Sequence, residues 1–325
     1  MATYKGIKGF TIQTIAGDPP APVTGQVWYN TTSNVLKGYA PVTGAWAAGN
    51  NVLVGRGQVA GAGIQTAALL FGGINYTQSP GPATNLSETY DGTSWSEGNN
   101  MNQGRYGHGG CGVATAALAI TGYQPPPRLL QVEAYNGSSW VEGNDVNTAR
   151  SDVAAAGTTA AAIVFGGSSP GGLTDLTENW NGTSWSEVSA LPAGRSSMAG
   201  LGISTAALAV SGSLPSTTAT VGTWNGSTWT LTNNVLTGRR GSAATGISTA
   251  GMFFNAYQPA VAFTEQYDGT CWSEVGDMTV QRGFLGGATS SPNTATLGFT
   301  GGDPTRSLST EEWNSGPAVV TFTSS

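Results

Sequence analysis

The chain has 325 residues, 49 of them glycine, with 9% charged side chains and a formal net charge of −6. Nucleic acid is excluded as a partner, because phosphate-backbone binding needs Lys and Arg gathered on one face. Two cysteines, Cys111 and Cys271, are too few for a disulfide framework and are expected as free thiols, and no apolar run approaches the roughly 18 residues of a membrane span.

Taken in chain order, the first 40 residues stand apart. All three lysines (Lys5, Lys8 and Lys37) lie there, with Asp18 the only acid. Lys5 and Lys8 are followed by no apolar run, so no signal peptide is expected. Residues 1–40 are expected to form an attachment segment ending at Pro41. The alternative is a strand hairpin that packs against the repeat region. Residues 41–317 carry a repeat, and residues 318–325, with the run Val319–Phe322, form a tail or an extra strand.

The repeat is set by tryptophans at Trp46, Trp95, Trp140, Trp185, Trp229 and Trp272. Arginines follow ten residues later at Arg56, Arg105, Arg150, Arg195, Arg239 and Arg282. An aromatic followed by Asp or Asn recurs at Tyr90, Tyr135, Trp180, Trp224, Tyr267 and Trp313. A period of about 45 residues suits four short strands and their turns, the content of one propeller blade. Short apolar runs bounded by glycine, such as Ala67–Phe71 and Ala206–Val210, read as strands, and no run carries helical spacing. The expected fold is all-β, a six-bladed β-propeller of four-stranded blades. Residues 45–48 supply the outer strand of the last blade and close the ring. Tyr39 leaves a partial seventh blade as an alternative.

Within a unit, the arginine opens strand a, strand b ends in small residues, strand c carries the aromatic, and strand d starts at the tryptophan. Asp-Gly or Asn-Gly at Asp91, Asn136, Asn181, Asn225 and Asp268 predicts two-residue I′ hairpins. That turn sets Glu88 across from Trp95 and avoids facing Glu88 with Glu97, since like charges opposite one another destabilise. Glu88, Glu133, Glu178, Glu265 and Glu311 recur with the arginines and are expected to pair with them. The fourth unit has Gly222 and Leu231 in the two glutamate positions.

These residues resemble the kelch repeat, in which a double glycine, a tyrosine and a tryptophan mark each unit. Gly72-Gly73, Gly166-Gly167 and Gly301-Gly302 match, followed by Tyr90, Trp180 and Trp313. The gap from Tyr90 to Trp95 is shorter than is usual in kelch units. The run from Gly25 through Trp28 and Tyr29 to Tyr39 resembles an element of tail-fibre and other structural proteins of tailed bacteriophages. Units like "WNGTSWSE" are similar to virion proteins of marine and cyanobacterial phages. The resemblance implies a virion protein joined to other virion proteins through residues 1–40, with a homo-oligomer, such as a trimer, as one arrangement.

No enzyme is expected. Carboxylates repeated in unit after unit do not make the uniquely placed pair of a glycosidase. His108 is the single histidine, too few for the usual zinc sites, so neither metal nor cofactor is expected. "DGTSW" matches the sialidase aspartate box only in part. Variation concentrates in the b–c loops, which share a face with the d–a loops. There Tyr76, Tyr123 and Tyr257, with Gln124 and Arg128, are the candidate contacts for a host-surface glycan or protein. The expected function is a tail-fibre or adhesin-type binding module. The alternatives are a purely structural virion component (decoration, neck or connector protein), a glycan-processing enzyme, and a non-viral module of the same fold.

Overall fold

A computed structural model describes residues 12–23, 25–75, 82–302 and 306–322. Among them every regular element is a strand, in eight sheets that are mostly four-stranded and antiparallel, a propeller-like all-β arrangement. The chain divides into two units, Ala45–Asn314 and the described parts of Met1–Gly44 with Ser315–Ser325.

In the larger unit the first sheet runs a to d as Ala60–Ile64, Ala67–Phe71, Ser87–Tyr90 and Trp95–Glu97. The second runs Gly109–Val113, Ala116–Ile120, Val132–Tyr135 and Trp140–Glu142. The third runs Ala154–Gly157, Ala162–Phe165, Thr177–Trp180 and Trp185–Val188. The fourth runs Ala199–Ile203, Ala206–Val210, Val221–Trp224 and Trp229–Thr232. The fifth runs Ala243–Ile247, Ala250–Ala256, Val261–Tyr267 and Trp272–Val275. In the sixth, Gly286–Gly287 and Ala295–Phe299 are followed by Thr310–Phe322, and the next strand in the sheet is Val35–Gly49. Tyr39 falls in the smaller unit and Trp46 in the larger. Two-stranded ribbons, Ser168–Ser169 with Gly172–Leu173 and Ser213–Leu214 with Ser216–Thr217, occupy b–c loops.

The a strands are rich in Ala and Gly because they approach one another. Each lies beside the a strand of the next sheet, and Gly286–Gly287 lies beside both Ala243–Ile247 and Ala60–Ile64. Bulk sits between sheets: Leu69 and Phe71 of the first pack with Ala117, Tyr135 and Trp140 of the second. Burying one such side chain contributes about 1.5–3 kcal/mol.

Two sets of hydrogen bonds tie neighbouring sheets. Gln58, Gly107, Asp152, Ser197, Gly241 and Phe284 all have positive φ, between 51° and 65°. Each N–H donates to the carbonyl of the one before, at 2.6–3.0 Å, and Gln58 N–H completes the series on Phe284 O. The strand-d tryptophans make the second set. Trp46, Trp95, Trp140 and Trp229 donate Nε1–H to Thr264, Thr310, Ser87 and Thr177, hydroxyls of the preceding sheet, at 2.9–3.2 Å. Val132 and Val221 stand where those hydroxyls would face Trp185 and Trp272, and these two indoles have no acceptor.

The c–d register differs from expectation. Tyr90 pairs with Trp95 and Glu88 with Glu97, and four other sheets repeat this one-to-one pairing. The turn is a four-residue loop, with positive φ at Gly92 and not at Asp91. Asp91 Oδ1 accepts the N–H groups of Thr93 and Ser94 at 2.8 and 2.7 Å, an arrangement a two-residue I′ turn has no room for. The facing glutamates are tolerated because Glu88 is buried on Arg56 while Glu97 is exposed. The last double glycine also shifts: Thr300-Gly301, not Gly301-Gly302, takes the two positive-φ places. Thr300 Oγ1 bonds the Arg56 carbonyl at 2.8 Å and accepts Arg56 N–H at 2.9 Å, so a hydroxyl does there what backbone freedom does elsewhere.

In the smaller unit, Gln13–Ile15 runs parallel to Val27–Asn30, which pairs antiparallel with Val35–Gly38. Trp28 is fully buried, and its indole, Asn30 and Lys37 all donate to Asp18, whose pKa is lowered chiefly by Lys37.

Candidate functional site

The six repeat arginines are all at most 3% exposed. Five make buried ion pairs: Arg56–Glu88, Arg105–Glu133, Arg150–Glu178, Arg239–Glu265 and Arg282–Glu311, at 2.5–2.8 Å. Their Nη groups also donate to backbone carbonyls, and Arg56 Nε donates to Gly72 O at 2.8 Å, whereas the Nε of Arg105, Arg150, Arg239 and Arg282 is buried without an acceptor among the described residues. The five charges are thus neutralised within the scaffold.

His108 is 5% exposed, and its pKa is pushed down to about 3, first by burial and then by Arg105. Neither ring nitrogen makes a hydrogen bond of good geometry, although the Phe71 carbonyl lies close enough to favour the proton. The imidazole packs over Gly72, where a Cβ would collide with it, and tilts against the Phe71 ring at 5.5 Å. Gly166 receives Met198 in the same way. The histidine is thus a core-filling group of its repeat position, where Val59 and Val153 stand in other sheets. It borders two chambers of about 90 and 80 Å³ between the a strands, with Gln58, Asp152, Ser197 and Ser242 around the second. Cys111 is buried, its thiol pushed up to about 12 by burial, and Cys271 is exposed. Among the described residues no three His, Cys, Asp or Glu side chains cluster as a metal site.

The loop face is different. Tyr123 and Arg128 come together in the second sheet's b–c loop, with the guanidinium 5.6 Å from the ring centroid. Tyr106 meets Tyr123 edge-on at 5.4 Å, Arg128 Nη2 donates to Ser168 Oγ at 3.1 Å, and Gln103 donates to Gln124. Across the unit, Tyr257 stacks on Phe284 at 4.7 Å under Arg240, 5.4 Å from its centroid. Tyr76 lies outside the described residues. Both arginines act on Asp152, whose pKa is nonetheless raised because burial outweighs them. The geometry brings Tyr123, Gln124 and Arg128 into one cluster and leaves Tyr257 in a second. Tyr106, Arg240 and Phe284 belong to these clusters too. Their signal in the sequence is position: Tyr106 and Arg240 directly follow repeat arginines, and Phe284 follows one by two.

Chemically, each cluster joins a half-buried aromatic surface to a guanidinium that forms no ion pair among the described residues, with Asp152 the carboxylate that feels both charges. Such a pair stacks on flat or CH-rich groups and hydrogen-bonds polar ones. No protein-family model matches the chain, and no curated protein matches its sequence.

Proposed function

We propose that Ala45–Asn314 is a six-bladed kelch-like propeller serving as a non-catalytic binding module. On this reading residues 45–49 complete the last blade. The cyclic series of backbone hydrogen bonds from Gln58 through Phe284 supports that closure. The observation that carries the binding role is a division of labour within the repeat. Arg, Glu and Trp are repeated and buried, whereas Tyr106, Tyr123, Arg128, Arg240, Tyr257 and Phe284 are unrepeated and half-exposed on one face. The phage resemblance of residues 25–39 makes the setting a virion, with the module a tail-fibre or adhesin head presented to a host surface.

The test is electron microscopy of purified virions labelled with antibody against residues 44–325. Label at fibre tips, with loss of host-cell binding in Tyr123→Ala and Tyr257→Ala, supports the adhesin. Label on capsid, neck or tail shaft turns the reading to a structural component, and particles without label overturn the virion setting.

A further inference from the structure

The fourth sheet departs from the other five at their most buried polar contact. Elsewhere a strand-c glutamate neutralises the repeat arginine and accepts backbone N–H groups just ahead of it. Glu88 takes Leu53 and Val54 N–H at 2.7 and 3.3 Å, Glu133 takes Asn102 and Gln103 at 2.7 and 3.2 Å, and Glu311 takes Thr279 and Val280 at 2.7 and 3.2 Å. In the fourth sheet Gly222 stands in the glutamate position and Pro192 in that of Leu53. The acceptor and one of its donors have gone together. Ala193 N–H, counterpart of Val54 N–H, remains without an acceptor among the described residues, as do Thr148 and Thr237 N–H, the same position beside Glu178 and Glu265.

Arg195 is nevertheless kept, and it is 3% exposed. Its guanidinium donates only to neutral carbonyls: Nη1 to Ser211 O and Thr220 O at 3.3 and 2.6 Å, Nη2 to Ala209 O at 3.0 Å. Burial draws its pKa down to about 10, with no carboxylate to oppose the shift. A Cβ at Gly222 would point at Arg195 Nη2, 3.2 Å away, and lie 3.4 Å from the Trp229 ring. The Arg195 guanidinium therefore lies against the strand-c position that delivers a carboxylate in five sibling sheets.

We propose that this place in the fourth sheet binds a carboxylate from outside the chain, held by Arg195 and Ala193 N–H as Glu88 is held by Arg56 and Val54 N–H. Arg favours carboxylate over a spherical anion because its fork donates two parallel bonds. The carboxylate comes either from a small free acid or from an acidic side chain of a partner, and the inference does not depend on the virion setting.

The full chain is melted in sodium acetate, sodium chloride and a blocked glutamate peptide at matched ionic strength. A ligand that binds only the folded form raises the melting temperature in a saturable way. Acetate is expected to do so for the wild type. Gly222→Glu, which supplies the carboxylate internally, is expected to melt higher and to lose the acetate response by at least about tenfold in apparent affinity. Glu178→Gly, if it folds, is expected to gain a second acetate-dependent increment. A peptide response at lower concentration than acetate assigns the carboxylate to a partner side chain, and the reverse order assigns it to a free acid. Equal responses to chloride and acetate, or the same acetate response in wild type and Gly222→Glu, overturn the proposal.

Discussion

Glu178→Ala is the sharpest probe of the scaffold. Glu178 Oε1 takes Arg150 Nη1 at 2.5 Å, and Oε2 takes Asn147 N and Nδ2 at 2.7 and 2.8 Å. The two charged side chains are 0% and 1% exposed, so water screens neither. Removing one partner of a buried pair leaves an uncompensated charge and typically costs about 3–5 kcal/mol. Glu178→Gln keeps the acceptor oxygen without the charge and is expected to lose less. Glu187, directly across the sheet, is exposed and faces Glu178 with like charge, so Glu187→Ala is expected to lose nothing. Urea unfolding followed by tryptophan fluorescence measures all three, provided the slope with denaturant is unchanged. A Glu178→Ala loss below about 1 kcal/mol would show that solvent reaches Arg150 after all, contrary to the burial argument. An equal loss in Glu187→Ala would assign the effect to strand pairing instead of charge.

His108 has a folded pKa of about 3, below its unfolded value, so protons favour the unfolded chain. Its contribution is present above pH 6.5 and is lost as the pH falls toward 3, about 2 kcal/mol of it between pH 7 and 5. His108→Val should flatten the acid limb of the stability profile by that amount, and parallel profiles would refute the assignment. Val221→Thr should give Trp272 the hydroxyl that Trp46, Trp95 and Trp229 already have, raising stability by about 0.5–1.5 kcal/mol; a lower melting temperature counts against it. Trp46 donates to Thr264 and packs on Phe254 and Trp313, so Trp46→Ala should lose about 3–5 kcal/mol in the same urea assay. With a thiol reagent under native conditions, Cys271 should react and Cys111 should not, until denaturant is added.

Much of the fold was legible because repetition averages out local ambiguity. Trp and Arg at constant offset announced both the strand count per unit and the Arg–Glu pairs, which need only complementary charge at a fixed spacing. The turn differs from expectation because Asp-Gly suits two loop lengths. The choice between them rests on side-chain acceptance by Asp91, Asn136 and their equivalents, which no dipeptide rule encodes. Like charge between Glu88 and Glu97 does not set the register, because Glu88 is not an isolated charge. Arg56, 32 positions away in sequence from Glu88, decides the matter. The loop clusters were only half visible: tyrosines in variable loops stand out, whereas Tyr106 and Arg240 hide beside repeat arginines and become partners of Tyr123 and Tyr257 only once the loops are folded. His108 was readable as structural, but its fit over Gly72 joins two sheets and has no signature in either segment alone.

The strand that holds Trp46 has a consequence for biosynthesis. Its neighbour in the sheet, Thr310–Phe322, is translated about 260 residues later, which at ribosomal rates is on the order of tens of seconds. Throughout that interval residues 45–49 have emerged and the hydrogen-bonding edge that receives them does not yet exist. The last sheet is therefore assembled only once residues 310–322 have been made, from segments at opposite ends of the unit, and its late edge is open to any identical strand in reach. Chains growing side by side on one message offer such strands, so strand exchange between copies is the specific misassembly this architecture must outrun.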